Sequence, residues 1–125
     1  MSNRITIPAM LDPHVHLRGL EWKHKGTFHS ETKAAVAGGY WAVFDMPNTP
    51  PTTINRAALD RKLTSLSVHA VCDYGVYFGA SQTGNWHEYL AIHEQVCGLK
   101  MFCNDTTGDL LIEDQTERSK HFHAW

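Results

Sequence analysis

Asp12-Pro13-His14-Val15-His16-Leu17-Arg18 sets two histidines two residues apart, at the end of a short run that begins at Met10. Alternate side chains of a strand leave the same face, so a strand over Met10 to His16 sends both imidazoles to one side. Two imidazoles at one strand end suit a divalent metal. An isolated HxH pair is weak evidence, because two polar residues at a strand end are as readily solvated. The surrounding sequence decides what the pair means.

Outward from this stretch, strand and helix signals alternate. Ser30 can cap a helix running through Ala37, which Gly38-Gly39 stops. Tyr40 to Met46 (YWAVFDM) is an aromatic and β-branched run of strand length, closed by Pro47. Thr53 can cap a second helix from Ile54 to about Leu66, where Ile54, Ala58, Leu59, Leu63 and Leu66 fall at helical spacing. A third strand over Val71 to Phe78, a third helix over Trp86 to Gln95 and a fourth strand over Gly98 to Phe102 follow. Ile112 to Phe122 reads as a fourth helix with a thin apolar face.

This β-α order with short connections implies parallel strands joined by right-handed crossovers. A doubly wound sheet and a (β/α)8 barrel both fit. The Rossmann and P-loop phosphate signatures are absent, which weakens the nucleotide-binding form of the first. A complete barrel takes roughly 250 residues. Four units in 125 residues are therefore half of one.

The composition is that of a globular chain, with 42% hydrophobic and 19% charged residues. A net charge of -2 leaves no basic footprint for nucleic acid or for an anionic membrane surface. The start Met1-Ser2-Asn3-Arg4 does not read as a signal peptide. Cys72, Cys97 and Cys103 are odd in number and lack CxxC spacing, so buried, reduced thiols and a cytoplasmic setting are expected.

The DPHVHLR stretch, Gly38-Gly39, Asp45-Met46-Pro47-Asn48-Thr49-Pro50-Pro51 and Gly98-Leu99-Lys100 occur in this order. Together they resemble dihydroorotase of the amidohydrolase superfamily, in particular the dihydroorotase domain of the multifunctional animal pyrimidine-synthesis enzyme. The resemblance runs from about Met10 to Trp125. It implies that residues 1–125 are the N-terminal half of a (β/α)8 barrel. It also implies a binuclear zinc site that interconverts N-carbamoyl-L-aspartate and L-dihydroorotate in pyrimidine biosynthesis, with that small molecule as the partner. Residue by residue, His14 and His16 match zinc ligands, and Lys100 matches a lysine carbamylated by CO2 that bridges the metals. Arg18 and Asn48 match the residues that hold the substrate carboxylate. The acid/base aspartate and two further histidine ligands are expected beyond Trp125.

Each position also has a reading from its own chemistry. Arg18 shares the face of His16 if strand geometry persists, and its planar fork suits a carboxylate; the plain alternative is a solvent-facing arginine. Asn48, in a proline-rich turn, is by default a turn-former. Lys100 sits between Leu99 and Met101, so it either snorkels past the strand end or is buried with a lowered pKa. Asp12 is expected to support the strand end rather than bind metal, and Asp45 matches no ligand. His24 is expected to be structural or exposed, and His121 and His123 to lie on the surface. Asn104 to Gly108 could border the barrel mouth.

Two departures from the family pattern stand out. By this resemblance the chain is expected to begin almost directly at the first barrel strand, without the small β-domain that many superfamily members carry, and Gly19-Leu20 stands where Glu-Pro-Gly often follows HLR. The rival readings are an allantoinase or hydantoinase, and a non-catalytic half-barrel that serves binding or assembly. A half-barrel has open edges and an uncovered core, which calls for the other barrel half or another copy.

Overall fold

The computed structural model describes residues 4–106 and 110–125. Thr107 and Gly108 of the proposed mouth loop, and Met1 to Asn3 of the start, lie outside the described residues. Four strands, β1 (Met10–Val15), β2 (Tyr40–Asp45), β3 (Asp73–Gly79) and β4 (Gly98–Lys100), form one sheet in the order β1-β2-β3-β4. Every neighbouring pair is parallel. A doubly wound sheet reverses its strand order at a switch point. This sheet advances in one direction without reversal, as the arc of a barrel does.

The helices are α1 (Phe28–Ala37), α2 (Arg56–His69), the short α3 (Tyr89–Ile92) flanked by 3-10 turns, and α4 (Gln115–Ala124). Among the described residues no helix is long and apolar enough to cross a membrane. Thr27, not Ser30, caps α1. Ser30 is instead the reciprocal partner: its backbone N–H donates to Thr27 Oγ1, and the Thr27 N–H donates to Ser30 Oγ. Such a box satisfies two end donors at once. Asn55 rather than Thr53 caps α2, its Oδ1 accepting from the Ala58 N–H at 2.9 Å. Thr53 is fully buried beneath the loop.

The fourth helix begins at Gln115, capped by Asp114, so Leu110 and Ile112 lie ahead of it as fully buried apolar side chains. β4 ends at Lys100; Phe102 makes only an isolated parallel bridge to Leu111. Cys103 therefore falls in an exposed loop. Cys97 is exposed as well and Cys72 half-buried, against the expectation of buried thiols.

The core lies between the sheet and the helices on one face. Leu17, Val43, Val76 and Phe78 from the strand side pack with Phe28 of α1, Leu59 and Leu66 of α2, and Tyr89 and Ile92 of α3. Fully burying a side chain such as Leu59 or Leu66 stabilises by roughly 1.5–3 kcal/mol. The apolar spacing of α2 holds, with one exception that periodicity did not reveal. Lys62 is also fully buried and donates to Asp45 Oδ2 at 2.8 Å and to the Met46 carbonyl at 2.9 Å.

Register places Leu11 opposite Ala42, Phe44 opposite Gly75, and Tyr77 opposite Gly98 on the face away from the helices. A Cβ on Gly75 would come within 2.8 Å of the Phe44 ring, so the glycine is what lets that ring lie across β3.

Breaking one side of the buried pair leaves an uncompensated charge, which costs about 3–5 kcal/mol. Lys62→Met should lower stability by that much in urea unfolding followed by circular dichroism. A loss below about 1 kcal/mol would show that Asp45 is satisfied some other way.

Candidate metal centre

β1 ends at Val15, whose carbonyl accepts from the Met46 N–H at 2.9 Å. Two residues on, the Leu17 N–H donates to Asp45 Oδ1 at 2.8 Å. With Val15 and Leu17 turned to the core, alternation sends His14 and His16 to the opposite face. Their ring centroids are 5.6 Å apart and the planes are tilted by 58°. Asp12 supports this end as expected, its Oδ1 accepting from the His14 N–H at 3.0 Å.

His14 is exposed and His16 half-buried. His16 Nδ1 is 2.8 Å from Asn48 Oδ1, although the two are 32 positions apart in sequence. A carbonyl oxygen only accepts, so Nδ1 carries the proton and Nε2 keeps its lone pair. Burial is the largest influence on this imidazole and lowers its pKa below the usual 6.5; the Asn48 bond works the other way, and the nearby Arg18 charge adds to the lowering. A neutral ring with a bonded Nδ1–H and a free Nε2 is the form in which histidine ligates a metal. The donor chemistry of the pair therefore fits zinc as part of a ligand set. Among the described residues no three His, Cys, Asp or Glu side chains converge into a complete group.

Arg18 does not continue the strand. Its φ is +60°, Gly19 follows at +61° and Leu20 at +44°, so the chain turns through three left-handed residues. The conformation costs the two non-glycine residues roughly 1–2 kcal/mol each. Gly19 is needed twice over, because a Cβ there would also meet the Phe28 ring at 2.8 Å. The Arg18 guanidinium lies 5.6 Å from the Trp22 ring centroid, over its face. Lys100 is half-buried, with Nζ 4.9 Å from the Phe102 ring centroid. It is thus neither wholly buried nor free in solvent. Lys100 pairs in register with Gly79, on the face that also carries Tyr77.

Asp45 is the residue whose importance spacing did not disclose: it is fully buried and joins the ends of β1 and β2 to α2. His24 and His123 are exposed, as expected. His121 is not on the surface. It is fully buried, with Nε2 donating to the Ser81 carbonyl at 3.0 Å and Nδ1 accepting from the Tyr89 hydroxyl. Burial raises the Tyr89 phenol far above its usual pKa, so it stays a donor. Arg118, His121 and Trp125 lie at i, i+3 and i+7, a helical stripe that could have revealed the inward face of α4. Phe122, although apolar, is 74% exposed. The exposed Asn104 and Asp105 follow β4 in the loop beyond it.

Known proteins match this chain and its arrangement of strands. It is 39% identical to a dihydroorotase of Thermococcus kodakarensis over 90% of its own length, and 38% identical to the multifunctional protein CAD of Squalus acanthias over 97%. The chain is homologous to the dihydroorotases. It spans about a quarter of the length of the single-function dihydroorotases, 27% of the Thermococcus protein, and 5% of the Squalus one. No protein-family model matches. Among solved structures, an L-hydantoinase (dihydropyrimidinase) from Arthrobacter aurescens superposes with a TM-score of 0.85 at 24% identity, over 92% of this chain and 26% of that one. The inactive dihydroorotase-like domain of the Chaetomium thermophilum CAD-like multifunctional protein gives 0.74 at 19% identity, over 95% and 35%. At these identities the likeness concerns the fold: the four parallel strands form a half-barrel.

A folded-state pKa below the unfolded value means that the native chain resists protonation at His16. Its contribution to stability is present above pH 6.5 and is lost as pH falls from there through the lowered folded value. An NMR titration of the His16 ring should therefore give a midpoint below 6.5. A midpoint at or above that value would contradict the dominance of burial.

Proposed function

We propose that this chain is the part of a zinc-dependent dihydroorotase that carries the first metal ligands and the carboxylate-binding residues. The observation that carries this reading is the meeting of His16 with Asn48, which joins the HxH stretch to the proline-rich turn after β2. In this reading His14 and His16 bind one zinc through their free ring nitrogens. Lys100, once carbamylated by CO2, would be a further ligand to zinc. Arg18 and Asn48 hold the carboxylate of dihydroorotate or N-carbamoyl aspartate. Bound zinc would polarise the amide carbonyl and supply hydroxide near neutral pH.

The chain's own contribution is to bind and orient. Arg18 offers a planar fork of donors to the carboxylate, and the Asn48 amide adds a neutral donor from the turn after β2. Burial disfavours the imidazolium at His16, which favours the neutral ring that a ligand needs. The groups that complete the metal site and move the proton belong, in this reading, to a second set of four β/α units that closes the barrel in the cytoplasm. Dihydroorotate is favoured over allantoin or a hydantoin because Arg18 and Asn48 both suit a ring that bears a carboxylate.

Two measurements test the proposal. In equilibrium dialysis the 125-residue chain should bind zinc, and His14→Ala or His16→Ala should each weaken binding at least about 10-fold. Mixed with the C-terminal portion of the Thermococcus kodakarensis dihydroorotase, it should restore hydrolysis of dihydroorotate in preference to allantoin and dihydrouracil. Preference for either of those would move the substrate to the related cyclic amidases. Zinc binding unaffected by both histidine variants would remove the metal assignment. A mixture that binds zinc but turns over none of the three would favour the non-catalytic reading.

A further inference from the structure

The geometry points to Asn48 as a positioning residue that fixes the tautomer of His16, whatever else it binds. This rests on the reading of His16 as a metal ligand, and it assigns to Asn48 a duty that exists before any substrate arrives. A ligating imidazole must present a bare nitrogen to the metal and carry its proton on the other. His16 Nδ1 faces Asn48 Oδ1 at 2.8 Å, so the proton is held there and Nε2 is left open.

Among the described residues no other hydrogen bond reaches this ring. His14, its aromatic neighbour, lies 5.6 Å away centroid to centroid, a packing distance rather than a hydrogen bond. Asn48 can perform the task because its own position is fixed from below. Lys62 holds the Met46 carbonyl at 2.9 Å, and the Thr53 N–H donates to the Pro47 carbonyl at 2.9 Å, which closes the turn on which Asn48 sits. On the other side, the Leu17 N–H bond to Asp45 fixes the residue after His16. Imidazole and amide are thus carried on two strand ends tied to one buried carboxylate.

The residue type is informative. An amide has an acceptor and a donor end. With Oδ1 committed to His16, Nδ2 still offers two N–H groups, which suits a neighbouring anion. An aspartate at 48 would hold the same histidine tautomer but offer no donor and repel that anion. A leucine or alanine would do neither.

The substitutions Asn48→Asp and Asn48→Ala separate these possibilities in the 125-residue chain, each checked for a native-like backbone amide spectrum. Long-range 15N–1H correlation of the His16 ring, recorded above its pKa without metal, reads the tautomer directly. We expect the Nδ1–H form in the wild type and in Asn48→Asp, and a shift towards Nε2–H in Asn48→Ala. Zinc affinity should fall about 10- to 100-fold in Asn48→Ala and stay at or above the wild-type value in Asn48→Asp. A wild-type ring in the Nε2–H form, or an Asn48→Ala ring with unchanged tautomer populations, would overturn the assignment. If the wild type binds no zinc, the metal reading fails, and the tautomer measurement still decides the role of Asn48.

Discussion

Lys62 and Asp45 meet at 2.8 Å with neither side chain exposed, and between them they tie the ends of β1 and β2 to α2. One Asp45 oxygen takes the Lys62 ammonium and the other takes the Leu17 N–H; the same ammonium reaches the Met46 carbonyl. β1, β2 and α2 therefore share one polar junction inside an otherwise apolar layer of Leu59, Leu66, Val43 and Phe78. A buried pair is weak evidence for net stability, because desolvation offsets much of the attraction. Its value here is geometric. A leucine and a methionine in the same volume could fill the space, but neither could hold the Leu17 N–H or the Met46 carbonyl at a fixed distance.

That geometric role reaches the surface through two short paths. Leu17 follows His16 directly, and Met46 stands two residues before Asn48. The contact between His16 and Asn48 is therefore the outer rung of a ladder whose inner rung is the carboxylate. Because burial, more than any single charge, lowers the His16 pKa, the junction below also influences protonation above, by keeping the ring packed against its neighbours.

Much of this was legible in the sequence, for reasons that differ by element. The β-α alternation and the chain-order strands follow from apolar period and short connections, which are local properties. The position of Asp12 and the exposure of His24 and His123 were readable in the same way. The cap of α1 lies three residues before Ser30 because Thr27 and Ser30 form a reciprocal box, in which either residue satisfies the cap pattern. Lys62 was invisible because a lysine on a helix normally counts as solvated, and only its distant partner reverses that. His121 was misread likewise: its acceptor and donor, Ser81 and Tyr89, lie 40 and 32 positions away. Arg18 went astray for another reason. A continuing strand would put it on the face of His16, but three residues with positive φ end the strand first.

The face of the sheet away from the helices carries both the candidate ligand pair and an uncovered apolar surface. Parallel strands are ordinarily covered on both faces, yet here the helices cover only one. The other face carries His14 and His16 together with Phe44 and Tyr77, whose rings touch edge-on at 6.3 Å, and Leu11 remains 37% exposed. In the proposed reading, any further ligands beside the histidine pair would approach from that face. Any segment that brings them there also covers Phe44 and Tyr77, and apolar burial contributes about 25 cal/mol per Å². Metal binding and closure of the sheet thus draw on the same approach. A metal that binds only the closed form stabilises that form in proportion to its occupancy, and closure in turn removes the water that competes for His16 Nε2. The candidate ligand pair and the uncovered apolar residues thus share one face, and a single covering segment would act on both.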